Sequence, residues 1–386
     1  MALTTANIAS ELEVANQAGD PEADHLVSDL IDNREIDGVN ALFRTIGTLR
    51  PGQDLSGLPP RLATFLKGAT VDPPGWSGAD VRAAESFFDH HHGVASMLQG
   101  TVGLIGTYLA PTGAYTLRTT GRLGGVKGPG RRLSQSSRLF IGMGDRGALS
   151  DGTLAATVTK VRLVHASVRQ LHKKSGAWDY AKWGEPVSQK YTCGATYVFS
   201  VQILEAMRNL GLTVSRNDAQ GFMGAWHYIN HYLGTPERWL APKDVGQATA
   251  LWLTARDDEW KPTEDGRFMT AQALKFYKEE YLPEPAYSPF AAMIRTALSD
   301  KYADMAGIPR NAVLDTGAKL ASAGHGMMSG IGGGLLGGTA GKATGVNPYD
   351  EIIGVASKQF NRVENYALSR QGDDQPQMHE EIGDDR

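Results

Sequence analysis

Cysteine is nearly absent from this chain. A single one, Cys193, occurs in 386 residues. That excludes an internal disulfide and any zinc site built on several thiolates, and it leaves the redox compartment open. An excess of charge of one sign is also missing. The formal net charge is -4, so no basic footprint for nucleic acid is present. The doublets Arg131-Arg132 and Lys173-Lys174 are short enough to be solvated surface or local anion contacts. Met1 to Leu30 show neither a basic n-region nor an apolar h-region, so no secretory signal is visible. The expectation is a cytoplasmic protein, or an exported one if a signal has been removed.

The common enzyme signatures are missing as well. There is no Gly-x-Ser-x-Gly elbow and no P-loop, and Cys193 has no catalytic context in its neighbourhood. Gly142-Met-Gly-Asp-Arg-Gly147 matches the dinucleotide pattern G-x-G-x-x-G, but the polar run Leu133–Arg138 before it is no buried parallel strand. The acidic ribose partner expected about 20 residues further on is replaced by His165 and Arg169. A turn between helices is the better reading.

What remains is ordinary globular composition, 41% hydrophobic and 21% charged, with little period-two alternation. The chain therefore reads as all-α, a single large helical domain with a globin-like core. Residues 1–35 are acidic and polar and read as a short helix or an N-terminal arm. Residues 36–320 carry the helical domain. Residues 321–386 comprise a glycine-rich stretch over 321–345, a terminal helix and an acidic tail, and the stretch is expected to form an ordered loop over an apolar surface. The apolar run Phe87–Leu109 approaches membrane-span length, but Gln99 and the glycines at 100, 103 and 106 interrupt it. A buried helix that lets a neighbour or a flat ligand approach closely is expected there. Membrane contact through 94–110 or 321–345 is not favoured. Further helices are predicted over 151–174, 189–210 and 215–233, with Gly211 and Gly234 as stops.

The chemistry concentrates in Lys160-Val-Arg-Leu-Val-His-Ala-Ser-Val-Arg169. At helical spacing Leu154, Val158, Val161, His165, Val168 and Leu171 or His172 share one stripe, and Arg162 and Arg169 lie one turn either side of His165. A buried polar group without a partner costs a few kcal/mol. His165 is therefore either a core histidine bonded to a carbonyl or a metal ligand or acid/base group, with the arginines binding an anion and disfavouring the imidazolium. His90-His91-His92 cannot all face one way. His227 and His231 stand at i, i+4, a spacing that can chelate a metal, but the glutamate of H-E-x-x-H is replaced by Tyr228. An aromatic helix whose histidines meet buried hydrogen bonds is preferred there.

The order of segments resembles the latex-clearing-protein (rubber oxygenase) and mpaB-type oxygenase family. The matching pieces are Phe87–Gly93, Tyr115–Leu123, Arg131–Gln135, Lys160–Arg169, Pro186–Gln189 and Trp226–Gly234, within about residues 80–260. The Arg162-x-x-His165-Ala-x-Val-Arg169 element is the most specific. The resemblance implies a mostly helical protein binding haem b, an oxygenase acting with dioxygen on a small hydrophobic substrate. It puts the Arg162 helix over one haem face, with Arg162 and His165 on the oxygen-binding side. Rubber oxygenases carry lysine at the position of His165, and much of the wider family carries histidine. The family's proximal histidine falls within Thr192–Val198, where this chain has none. Three outcomes follow: Tyr197 ligates the iron; another histidine does so, His165 first and His231 after it; or the chain is a haem-free binding or structural relative. Arg162, Arg169 and Tyr197 are the further cofactor-binding candidates.

Overall fold

The computed structural model describes residues 3–120, 136, 138–311 and 352–360. Every regular element among them is helical. The Gly/Lys stretch 121–130, the glycine-rich stretch 321–345 and the acidic tail lie outside the described residues. No helix among the described residues is long and apolar enough to cross a membrane.

The N-terminal segment is not a loose arm. It forms two helices, Ile8–Asn16 and Pro21–Asp32. The second begins as such helices should, with Pro21 in its first turn and the Asp20 carboxylate accepting from the Ala23 N–H at 3.3 Å. Its polar residues occupy one flank, while Leu26, Val27 and Leu30 are buried. Overall polarity concealed that amphipathic spacing.

The apolar run after residue 77 becomes one long rod with a local fault. An α-helix spans Gly78–Leu98, a π-helical turn spans Gln99–Gly103, and α-helix resumes over Leu104–Tyr108. The small residues here admit large neighbours. A Cβ on Gly103 would meet the Phe199 ring at 2.7 Å, and one on Gly106 would meet Val198 at 2.8 Å. The rod makes its most extensive contact with the helix Arg216–Tyr232. Gly221 sets that spacing, since a Cβ there would run into the Ala83 carbonyl.

The helix predicted over 189–210 is two helices, Gln189–Phe199 and Val201–Asn209, broken at Ser200 (φ -118°, ψ -81°). The break frees the Phe199 carbonyl, which accepts from the buried Gln99 side-chain amide at 3.1 Å. A buried carbonyl must find a partner, and Gln99, which argued against a membrane span in the sequence, supplies it. The helix of the His165 motif runs Thr153–Ser175. Its start is satisfied by Asp151, whose carboxylate accepts from the Thr153 N–H at 2.8 Å. Gly142 ends a helix and residues 143–147 form turns leading to the next, as read, with Gly147 at φ 85°.

Gly221→Ala tests the main helix contact. The Ala83 carbonyl belongs to a helix backbone and cannot step aside, so overpacking should cost about 1–3 kcal/mol. Urea unfolding with an unchanged m-value is the measurement; an unaltered midpoint would contradict the contact.

Candidate functional site

The Thr153–Ser175 helix presents Val161, Val164, His165 and Val168 to an internal cavity of about 180 Å³. The opposite wall comes from Tyr191, Thr192, Ala195, Thr196 and Phe199 of the Gln189–Phe199 helix. Leu104, Thr107, Thr116, Leu117, Phe140, Trp226 and Leu233 complete most of it. No carboxylate, lysine or arginine is among the described lining residues. His165 is half-buried and is the one imidazole there.

The threonines read as polar in the sequence but make apolar walls. The Thr192 hydroxyl donates to the Ser188 carbonyl at 3.1 Å, Thr196 to the Thr192 carbonyl at 3.1 Å, and Thr116 to the Thr112 carbonyl at 2.7 Å. Each hydroxyl thus turns back on its own helix. Trp226 contributes the remaining polar atom of interest. Its indole N–H is buried with no hydrogen-bond partner, and its ring stacks on Phe199 at 5.7 Å.

Thr192, Ala195, Thr196 and Phe199 were not singled out in the sequence, although their i, i+3, i+4, i+7 spacing was the available signal. Tyr197 was named on this helix because it stands where the resemblance puts the proximal histidine, and its side chain packs into the core. The Tyr197 ring lies parallel to Trp252 at 6.2 Å, and burial holds its hydroxyl well above the usual phenol range. Tyr197 is not among the described residues that line the cavity.

Arg162 and Arg169 are also displaced from their expected roles. Both leave the helix on the flank beside the cavity face and meet carboxylates of the N-terminal helix. Arg162 Nε donates to Asp20 Oδ2 at 2.5 Å, and its Nη2 donates to Asp20 Oδ1 and Glu22 Oε2, each at 2.9 Å. Arg169 Nε donates to Asp24 Oδ1 at 2.6 Å and its Nη1 to the Val187 carbonyl at 3.0 Å. Neither arginine lines the cavity. They bind the protein's own carboxylates rather than a ligand's, because bidentate pairing in a shielded position outcompetes exposure to an apolar space.

The i, i+4 histidine pair does not converge either. His227 Nδ1 lies 2.6 Å from the Ala241 carbonyl oxygen and His231 Nε2 lies 2.8 Å from that of Val71. Both bonds are of the structural kind preferred from the sequence, and His231 stands apart from the cavity. Of the histidine triplet, His90 is exposed while His92 turns in, its Nε2 3.0 Å from the Ile141 carbonyl oxygen. Among the described residues no group of three or more His, Cys, Asp or Glu side chains could hold a metal ion.

The described elements thus form a helical domain around an apolar, histidine-bearing cavity. Residues 89–328 match the family described as ER-bound oxygenase mpaB/B'/Rubber oxygenase, catalytic domain, and the chain belongs to that family. It is similar to the rubber oxygenase of Streptomyces sp. (strain K30), with 27% identity over 304 residues, 77% of this chain and 72% of that protein. Its fold is that of latex clearing protein LCP in the closed state. The TM-score is 0.75, the identity 23%, and 96% of this chain and 95% of that one are covered.

Two measurements test this arrangement. Asp20→Ala leaves Arg162 buried without its main partner and removes a helix cap. The expected loss is about 3–5 kcal/mol in chemical unfolding, and a loss below 1 kcal/mol would show that the pair is dispensable. The second concerns His172, whose ring lies 4.5 Å from that of Trp178 and whose buried Nε2 is unpartnered. Burial pushes its pKa down to about 4 from the ordinary 6.5. Between those pH values the unfolded chain carries a proton on this imidazole that the folded chain does not. Its contribution to stability therefore rises with pH across the window and is level above it, on the order of 3 kcal/mol in all. In His172→Phe the slope of stability against pH between 4 and 6.5 should fall by up to about 1.4 kcal/mol per unit; an unchanged slope would refute the assignment.

Proposed function

We propose that this protein is a haem-dependent oxygenase that uses dioxygen on a small hydrophobic substrate, with His165 as the iron ligand. The observation that carries the reading is the His165 imidazole facing an apolar cavity whose described walls hold no carboxylate. Membership of an oxygenase family supports it.

The donor set suits such a group at the iron. His165 is the strongest metal donor on the described walls, and neutral imidazole is a common iron ligand. Arg162 and Arg169 are engaged by Asp20, Glu22 and Asp24, so they are not proposed as partners for haem carboxylates. Haem would supply the activation of dioxygen. The chain's own residues do the rest. Val161, Val164, Val168 and Phe199 exclude water and select an apolar substrate. His165 holds its ring at the cavity wall. Trp226 Nε1 is a buried donor with no hydrogen-bond partner among the described residues, suited to orienting an oxygen atom of a ligand.

One observation favours a second reading, a haem-free protein that binds an apolar ligand. The cavity, at about 180 Å³, is close to the size that holds a benzene-like molecule, so a macrocycle requires its walls to part.

The visible spectrum separates the two. The oxygenase reading predicts a Soret band after haem supplementation, haem recovered by pyridine extraction, and loss of the band in His165→Ala with recovery on adding free imidazole. A protein that takes up no haem under these conditions, while binding an apolar fluorophore, is the haem-free relative. Loss of melting temperature alone in His165→Ala, with an unchanged spectrum, would reduce His165 to a packing residue.

A further inference from the structure

Four easily oxidised rings stand in line next to the cavity wall opposite His165. Tyr197 lies parallel to Trp252 with centroids 6.2 Å apart, Trp252 meets Trp260 edge to face at 5.2 Å, and Trp260 meets Tyr302 edge to face at 4.8 Å. All four are buried. The line adjoins the wall at two points. Tyr197 follows Thr196, a wall residue. Trp260 lies against Gly106, where a Cβ would stand 3.3 Å from its six-membered ring, and the next residue, Thr107, is on the wall.

The two ends of the line differ. The Tyr197 hydroxyl is buried with no hydrogen-bond partner among the described residues. The Tyr302 hydroxyl donates to the carboxylate of Asp257, an exposed residue. An oxidised phenol is a far stronger acid than a carboxylic acid, so a tyrosine yields an electron readily where its proton has an acceptor. Asp257 is that acceptor, and Tyr197 lacks one. Arg256 adds to the difference. Its guanidinium lies 4.6 Å from the Tyr302 ring centroid and 5.9 Å from those of Trp252 and Trp260. A positive charge there disfavours an indole radical cation more than a neutral phenoxyl.

We propose that Trp260 and Tyr302 form an exit for oxidising equivalents from the cavity to the protein surface. A one-electron oxidant, formed in the cavity from dioxygen or peroxide when no substrate is bound, takes an electron from the Trp260 indole. Tyr302 returns one electron to that ring, its O–H bond breaks, and the proton passes to Asp257, which leaves a neutral phenoxyl. A reductant in solvent, such as a thiol or ascorbate, restores the phenol with one electron as Asp257 gives back its proton. The source of the oxidant rests on the oxygenase reading; the transfer from Tyr302 to Trp260 does not.

Flash photo-oxidation of tryptophan in the full chain, as purified and without added haem, tests the transfer itself. Decay of the tryptophanyl absorbance should feed a growing phenoxyl absorbance. One phase of that growth should vanish in Trp260→Phe and in Tyr302→Phe, and the double variant should lose no more than either, as two members of one route must. Asp257→Asn, which still accepts a hydrogen bond but takes up no proton, should slow that phase at least about tenfold. No phase shared by the two single variants, or a shared phase indifferent to Asp257→Asn, overturns the proposal. A second arm treats the haem-loaded protein with hydrogen peroxide and a spin trap. Peptide mass spectrometry should find the adduct on Tyr302 and lose it in Trp260→Phe. No adduct on Tyr302, with the flash transfer intact, overturns the link to the cavity. A chain that shows the flash transfer but takes up no haem keeps the route and overturns the oxygenase reading, and with it the source of the oxidant.

Discussion

The His165 site depends on a charged junction rather than on the histidine itself. Asp20 caps the Pro21–Asp32 helix and receives two bonds from Arg162. Gly234, at φ 82°, ends the Trp226 helix against this pair, and a Cβ there would collide with both Arg162 and Asp20. Gln189 closes the junction by donating to the carbonyls of Gly19 at 3.0 Å and Gly234 at 3.2 Å. Three helices that line or flank the cavity are thus tied to one carboxylate. Arg162 and Arg169 are seven residues apart on the same flank of their helix. Two fixed points on one flank determine the helix's rotation, and that rotation aims Val161, Val164, His165 and Val168 at the cavity. Breaking a buried pair by removing one partner is costly, so the orientation of His165 is strongly specified from outside the cavity.

This separation of labour explains the character of the site. Charges are spent on aligning helices, and the cavity itself is left apolar. Threonine hydroxyls of its walls bond to their own helices, and His165 is the one imidazole on its described walls. The small residues of the neighbouring elements, Gly103, Gly106 and Gly113, let Phe199, Val198 and Tyr191 approach closely.

Much of this was legible in one dimension. The helix of the motif, its apolar stripe and His165 at the centre were read from 3.6-residue spacing, and the structure begins and ends that helix within two residues of the expected positions. The helix Arg216–Tyr232 and its glycine stop were equally clear. The errors share a cause. Arg162 and Arg169 were assigned to an external anion because their partners, Asp20, Glu22 and Asp24, lie about 140 residues away in the chain and no local pattern couples them. The break at Ser200 was missed because the apolar spacing of Tyr197, Val201, Leu204 and Met207 continues across it, and the Gln99 amide that bonds the freed carbonyl comes from another element.

By itself, then, the sequence determined that the protein is helical, where its main helices stop, and that a histidine sits on an apolar face within an oxygenase-family motif. Periodicity and glycine stops are local properties, written within a few turns of chain. The tertiary structure alone decided which flank of that helix faces the cavity and where the carboxylates that engage Arg162 and Arg169 come from. These depend on ion pairs and contacts between residues far apart in the chain, whose energies exist only once the helices have been brought together.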